Sequence, residues 1–170
     1  MIRLLTDPGR LDPGRFAAWR GPAVRPSSCN ASAQPSDSDP EVPLGAASAQ
    51  MTFSLTSLRT ARRLVAREAQ QTNMSVGRRE DLVLAVDELA TNSVIHGGGQ
   101  GRLIVWRSDE AVVCEVRDQG HISDLVAGQR PPPPEQPTGR GLRLVCRLCD
   151  RVHISSSPGR TIVRVEMSAS

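Results

Sequence analysis

The stretch of residues 85–97, AVDELATNSVIHG, has the residue types and spacing of a ligand site. Glu88 and Asn92 are four positions apart, so in a helix they lie one above the other on the same face. That face borders the apolar stripe that contains Leu82 and Leu89. The two polar side chains would then face the space between the helix and the layer on which it packs. The alternative is a hydrogen-bonded i,i+4 pair on the surface, worth a few tenths of a kcal/mol.

Two further short segments have ligand-binding character. The sequence DQG at 118–120 places a carboxylate and then a glycine at the end of a β-rich run, which is also a common turn. The sequence GRGL at 139–142 opens a predicted helix, where glycines leave backbone N–H groups free for an anion at the positive helix end. Each signal is weak alone, so the argument depends on their order along the chain.

Hydrophobic periodicity predicts the elements that carry these segments. The predicted elements are a strand at 51–55, helices at 57–71 and 76–96, a hairpin at 102–107 and 111–118, a loop at 120–138, a helix at 139–148, and a hairpin at 150–156 and 161–167. Two hairpins and three helices in this order predict a mostly antiparallel sheet covered on one face by helices. The expected fold is therefore an α+β two-layer sandwich.

The composition changes near residue 48. Seven of the 13 prolines lie before it, and residues 27–49 are rich in Ser, Ala and Pro without apolar periodicity. Such a segment buries too little apolar surface to offset its ordering entropy. We therefore predict a disordered or irregular tail at 1–48 and one domain at 49–170.

Composition also excludes several functions. All 21 basic residues are Arg, so there is no lysine for a Schiff base or for a Walker-type phosphate loop. Four aromatic rings and a net charge of +3 argue against direct nucleic-acid binding. No secretory leader and no apolar run of roughly 18 residues is present, which predicts a cytoplasmic protein without membrane contact.

Taken together, the E-x-x-x-N helix, the D-x-G turn and the G-x-G-L helix start resemble the nucleotide site of the GHKL (Bergerat-fold) ATPases. The resemblance covers roughly residues 51–167, and AVDELATNSVIHG is similar to the N-box of the anti-sigma factor serine/threonine kinases. It implies the histidine-kinase-like sandwich fold with ATP and Mg²⁺ as cofactors. It also implies sequestration of a sigma factor and phosphorylation of a serine on a STAS-type anti-anti-sigma protein. Related kinases form homodimers.

The resemblance also implies roles for individual residues. Glu88 resembles the general base for the acceptor hydroxyl, and Asn92 resembles the Mg²⁺ ligand, since an amide oxygen suits a cation held mainly by phosphates and water. Asp118 resembles the acceptor for the adenine amino group. Because the chain has no lysine, the position of Arg140 makes it the expected cation near the phosphates. The other expected nucleotide contacts are His96, Gly97, Gly120, Gly139, Gly141 and Leu142.

Two alternatives remain open from the sequence. The chain could be a nucleotide-binding regulatory module without kinase activity, the remnant of a larger sensor protein. A row of arginines at 59, 62, 63, 67, 78 and 79 is either a solvated helix face or a docking surface for an acidic partner. Cys146, Cys149 and His153 mimic metal spacing, but a structural zinc site needs four ligands, so both cysteines are predicted to be buried core thiols.

Overall fold

The computed structural model describes residues 28–32, 47–108, 110–123 and 140–169. Within them, a 3₁₀ turn at Leu55–Ser57 leads into the first of three helices. The helices are α1 (Leu58–Gln70), α2 (Val76–His96) and α3 (Arg140–Leu148). The strands are β1 (Ser28–Ser32), β2 (Ala49–Ser54), β3 (Gln100–Arg107), β4 (Ala111–Asp118), β5 (Arg151–Ser157) and β6 (Arg160–Ser168).

The strands of the described segments form one sheet in the order β1-β5-β6-β4-β3-β2. Both predicted hairpins, β3–β4 and β5–β6, are present and antiparallel, and β4 pairs antiparallel with β6. This pairing sets Asp118, the last residue of β4, opposite Thr161 near the start of β6. The C-terminal end of β4 and the β5–β6 turn therefore lie at the same end of the strands.

All three helices pack on one face of this sheet, because each carries an apolar stripe that must be covered. In β4 the alternate residues Val112, Cys114 and Val116 are buried on that face, as the period of two in a strand requires. The helices contribute side chains at spacings of three and four, such as Val65 and Ala69 on α1. The predicted α+β two-layer sandwich is confirmed.

The strand β1 differs from the sequence prediction. Residues 28–32 fall in the predicted irregular tail, yet they pair in parallel with residues 151–155 of β5. Their sequence, SCNAS, has no alternating hydrophobicity, so a pairing this distant along the chain leaves no local signal. Most of the predicted tail lies outside the described residues, and the domain boundary near residue 48 stays a prediction.

The described helices were also compared with the length of a membrane span. None of them is both long enough and apolar enough to cross a bilayer. The 21-residue α2, the longest, has charged residues along its length.

Candidate functional site

Helix α2 is the element that links the candidate residues. The Ser75 side chain caps its N-terminus by accepting a hydrogen bond from the backbone N–H of Arg78. Its buried residues are Leu82, Ala85, Val86, Leu89, Ala90 and Ser93, as the predicted stripe requires. Glu88 and Asn92 lie beside this stripe and are partly buried. The helix therefore presents both side chains at the edge of the core, as expected from the sequence.

The first turn of α3 lies directly against these two side chains. A Cβ placed on Gly141 would be 2.7 Å from Glu88 Oε2 and 3.4 Å from Asn92 Nδ2. Only glycine allows this approach without moving the carboxylate. We call the set Glu88, Asn92 and Gly141 the Glu88 end of the site. It brings a carboxylate and an amide to a helix N-terminus, where free N–H groups favour anions.

Burial shifts the pKa values of the carboxylates at and beside the Glu88 end. Burial raises the pKa of Glu88, and the neighbouring negative charge of Asp87 raises it further. Burial also raises the pKa of Asp87, although its ion pair with Arg62, at 2.5 Å, acts in the opposite direction. Glu88 therefore has a higher proton affinity than an ordinary glutamate, which suits a group that must accept a proton.

A second cluster forms where the C-terminal turn of α2 meets the end of β4. Asp118 Oδ2 accepts a hydrogen bond of 2.6 Å from the hydroxyl of Ser93, and Asp118 Oδ1 accepts one of 2.8 Å from the backbone N–H of Gly120. Both carboxylate oxygens are thus fixed, and each keeps a lone pair for a further donor. We call Asp118, Ser93, Gly97 and Gly120 the Asp118 end.

Two glycines allow the backbone to pack closely against Asp118 and His96. A Cβ on Gly97 would lie 2.5 Å from Asp118 Cγ, and a Cβ on Gly120 would lie 2.8 Å from the carbonyl oxygen of His96. The backbone N–H of Gln119 donates to Gly97 O at 3.2 Å, which joins the two segments. The structure thus groups Gly97 with Asp118, about 13 Å along α2 from Glu88 at the usual helical rise.

The other predicted site residues divide into three groups. His96 is exposed at the end of α2, and Leu142 is buried at 7% exposure in the core beneath α3. Gly139 and the side chain of Arg140 lie outside the described residues. The sequence analysis missed Ser93 as a site residue, because its place on the apolar stripe suggested only packing. A hydroxyl within an otherwise apolar stripe was the available signal.

The cysteines whose side chains the structure describes lie in the core. Within the described residues, no group of three or more His, Cys, Asp or Glu side chains could hold a metal ion. Cys114 and Cys149 are free and buried, and burial raises the pKa of Cys149 to about 12, which keeps it a thiol. Cys146 is buried as predicted, but it takes part in a disulfide rather than carrying a thiol.

The arginine row has both paired and exposed members. Arg62 pairs with Asp87, and the guanidinium of Arg78 contacts Asp150. Arg59 and Arg63 are exposed on α1. Both interpretations from the sequence, a solvated face and a docking surface, therefore remain consistent with this arrangement.

The fold class is an α+β two-layer sandwich, in which the Glu88 end and the Asp118 end of the candidate site both lie beside α2. A family model described as the histidine kinase-like ATPase domain matches residues 51–167, more than half of the chain, and the chain belongs to that family. Among solved structures, it is similar to the Acinetobacter baumannii histidine kinase AdeS, with 12% identity and a TM-score of 0.43 over 72% of this chain and 68% of that one. Comparison with curated proteins returns no match.

The donor groups at the Glu88 end fit a magnesium ion that arrives with a nucleotide. Mg²⁺ prefers oxygen ligands and keeps several waters, so one or two protein oxygens next to bound phosphates are sufficient. The side-chain amide of Asn92, which lies beside the start of α3, would supply one such oxygen. This fit, together with membership of an ATPase family, makes Mg²⁺-ATP the expected ligand.

Proposed function

We propose that this protein is an ATP-binding anti-sigma factor with serine protein kinase activity. In this proposal it sequesters a sigma factor and phosphorylates a serine of a STAS-type anti-anti-sigma protein. The observation that carries the proposal is the placement of Glu88 and Asn92 against Gly141, on the same helix whose Ser93 holds Asp118. The similarity of AVDELATNSVIHG to the N-box of these kinases supports the choice within the family.

Each residue of the candidate site has a distinct task in this proposal. Asp118 accepts a hydrogen bond from the adenine amino group, and the N–H groups at the start of α3 bind phosphate oxygens. Asn92 holds Mg²⁺, which when bound neutralises phosphate charge. Glu88 orients the acceptor serine and takes its proton, a role that its raised pKa favours.

The partner proposal rests on the arginine row. Exposed arginines on α1, including Arg59 and Arg63, provide positive charge for an acidic partner surface, whereas the exposed Arg67 is paired with Glu68. A homodimer is proposed only by analogy with related kinases.

A transfer assay tests the kinase proposal. The purified chain is incubated with γ-labelled ATP, Mg²⁺ and candidate anti-anti-sigma proteins, and label is sought on serine. Transfer that depends on Glu88 supports the kinase. Tight ATP binding without transfer to any candidate supports the second function, a silent nucleotide-binding regulatory module. That alternative is kept because the matched family model describes an ATPase domain and specifies no acceptor.

The magnesium role of Asn92 is tested by titration with ATP in the presence and absence of Mg²⁺. We expect Asn92→Ala to reduce the ATP affinity measured with Mg²⁺ towards the value measured without it, because the only amide ligand is lost. Phosphoryl transfer should stop at the same time. A variant that keeps the parental Mg²⁺ dependence would remove Asn92 from the ligand set.

A further inference from the structure

Two buried hydroxyl groups lie beneath the segment that follows Asp118. Ser156, near the end of β5, and Thr161, near the start of β6, are 1% and 3% exposed. They are adjacent because the hairpin register pairs Ser156 with Thr161. Neither residue belongs to the sequence motifs described above.

The hydrogen bonds around these hydroxyls form one chain with a fixed direction. The backbone N–H of Ile122 donates to Ser156 Oγ at 2.8 Å, and Thr161 Oγ1 donates to the carbonyl oxygen of Gly120 at 3.1 Å. The two hydroxyl oxygens are 2.8 Å apart. Since the hydrogen of Thr161 is used on Gly120, Ser156 must be the donor between them.

A second contact of Ser156 does not change this assignment. His121 Nδ1 lies 3.5 Å from Ser156 Oγ, much farther than Thr161 Oγ1. His121 is exposed, so its ring can reach water instead. The shorter, buried contact is the stronger one.

We propose that Ser156 is a positioning residue of the nucleotide site, acting directly on the N–H of Ile122 and through Thr161 on the carbonyl of Gly120. The chain of hydrogen bonds holds both the carbonyl of Gly120 and the N–H of Ile122. The N–H of Gly120 in turn donates to Asp118 Oδ1. Ser156 therefore fixes the backbone that orients Asp118. This inference rests on the proposed nucleotide site, and it adds Ser156 to the residues that set the affinity for ATP.

The test uses matched variants of the full chain. Ser156→Ala removes the central hydroxyl, and Ser155→Ala is the control, because Ser155 is buried at 4% exposure on the opposite face of the same strand. A second pair guards against misfolding. Thr161→Val removes the hydroxyl and keeps the side-chain shape, whereas Thr161→Ser keeps the hydroxyl.

Three experiments are made on each variant. Amide hydrogen exchange at Ile122 in the nucleotide-free chain directly reports the hydrogen bond from the Ile122 N–H to Ser156 Oγ. Calorimetry with ATP gives the dissociation constant, and the transfer assay gives kcat and KM. We expect Ser156→Ala and Thr161→Val to speed exchange at Ile122 and to weaken ATP binding about threefold to tenfold, the value of one hydrogen bond. We expect kcat at saturating ATP to stay unchanged, with Thr161→Ser and Ser155→Ala near parental.

Contrary results are equally clear. The same ATP affinity in Ser156→Ala and Ser155→Ala would overturn the inference, as would a fall in kcat without a change in KM. If Ser156→Ala does not fold, the ATP affinities of Thr161→Val and Thr161→Ser are compared instead, and equal affinities would overturn the inference. Failure of the proposed function is distinguishable, because a parental chain that binds ATP without transferring phosphate fails as a kinase, while ATP affinity and exchange at Ile122 still test the role of Ser156.

Discussion

The Asp118 end and the Glu88 end of the candidate site are built in opposite ways. At the Asp118 end, each carboxylate oxygen accepts a hydrogen bond from within the protein, and two glycines bring the backbones into contact. At the Glu88 end, the side chains of Glu88 and Asn92 have no hydrogen-bond or ion-pair partner in the described part of the chain. One end is completed by the fold, whereas the other presents polar groups that a ligand would complete.

This difference indicates how the two ends divide the work. A group held by several partners keeps its orientation at low entropic cost, which suits recognition of a rigid base. A partly buried carboxylate without a partner carries a desolvation cost, and its raised pKa reports that cost. Groups whose pKa is shifted by burial are typical of reaction sites, where the same group must gain a proton. The comparison thus predicts affinity effects at the Asp118 end and rate effects at the Glu88 end.

The largest expected effect is on Glu88. We expect Glu88→Gln to reduce phosphoryl transfer about 10²- to 10⁴-fold, the usual contribution of a positioned acid or base. ATP affinity should stay within a factor of a few, because the side-chain size is kept. Single-turnover transfer and calorimetry measure the two quantities, and Glu80→Gln, at an exposed position of the same helix, is the control. A parental transfer rate would remove Glu88 as the base.

The raised pKa of Glu88 adds two expectations to this prediction, one for the pH dependence of transfer and one for the Tm. Transfer in the parental chain should rise with pH through the pKa of Glu88, above its usual 4.5, and this rise should vanish in Glu88→Gln. Because the folded state disfavours the charged form, ionised Glu88 destabilises the fold above that pKa, and the penalty is lost as pH falls through it. Glu88→Gln should therefore raise the Tm at neutral pH, whereas a lower Tm would contradict the desolvation argument.

The next effect is at the helix start that faces Glu88. Gly141→Ala would put a Cβ 2.7 Å from Glu88 Oε2, so the flexible carboxylate must move while the fold is retained. We expect transfer to fall about tenfold to a hundredfold, since small displacements of a catalytic group are costly. Gly77→Ala on α2 is the control, because its Cβ would meet nothing within 4 Å. An equal rate in the two variants would contradict the contact.

Asp118 is expected to give the largest affinity effect. Asp118→Asn replaces one acceptor oxygen by an NH₂ group, which would face Ser93, Gly120 or the adenine amino group. The loss of a hydrogen bond to a charged acceptor is worth about 1.5–3 kcal/mol, so ATP affinity should fall roughly tenfold or more. Calorimetry on the folded variant measures this, and kcat at saturating ATP should change little. Unchanged affinity would remove Asp118 from the site.

The same comparison shows what the sequence could predict. Helix α2 and both hairpins have strong local periodicity, and the motif order located Glu88, Asn92 and Asp118 correctly on their elements. The contacts that organise the site are not local. Gly141 meets Glu88 across 53 positions, and Thr161 reaches Gly120 across 41. Such pairings arise from sheet register and helix packing, which residue spacing along the chain does not encode.

The smallest expected effect comes from Ser93, which the fold uses to orient Asp118. Its hydroxyl is 2.6 Å from Asp118 Oδ2 and 3.1 Å from the carbonyl oxygen of Leu89, and it is 1% exposed. Ser93→Ala keeps the helix and removes only this donor, so we expect ATP affinity to fall about threefold to tenfold with kcat unchanged. Calorimetry and the transfer assay on one preparation separate the two. A fall in kcat instead would show that the Asp118 end and the Glu88 end are coupled, and the division between recognition and reaction would not hold.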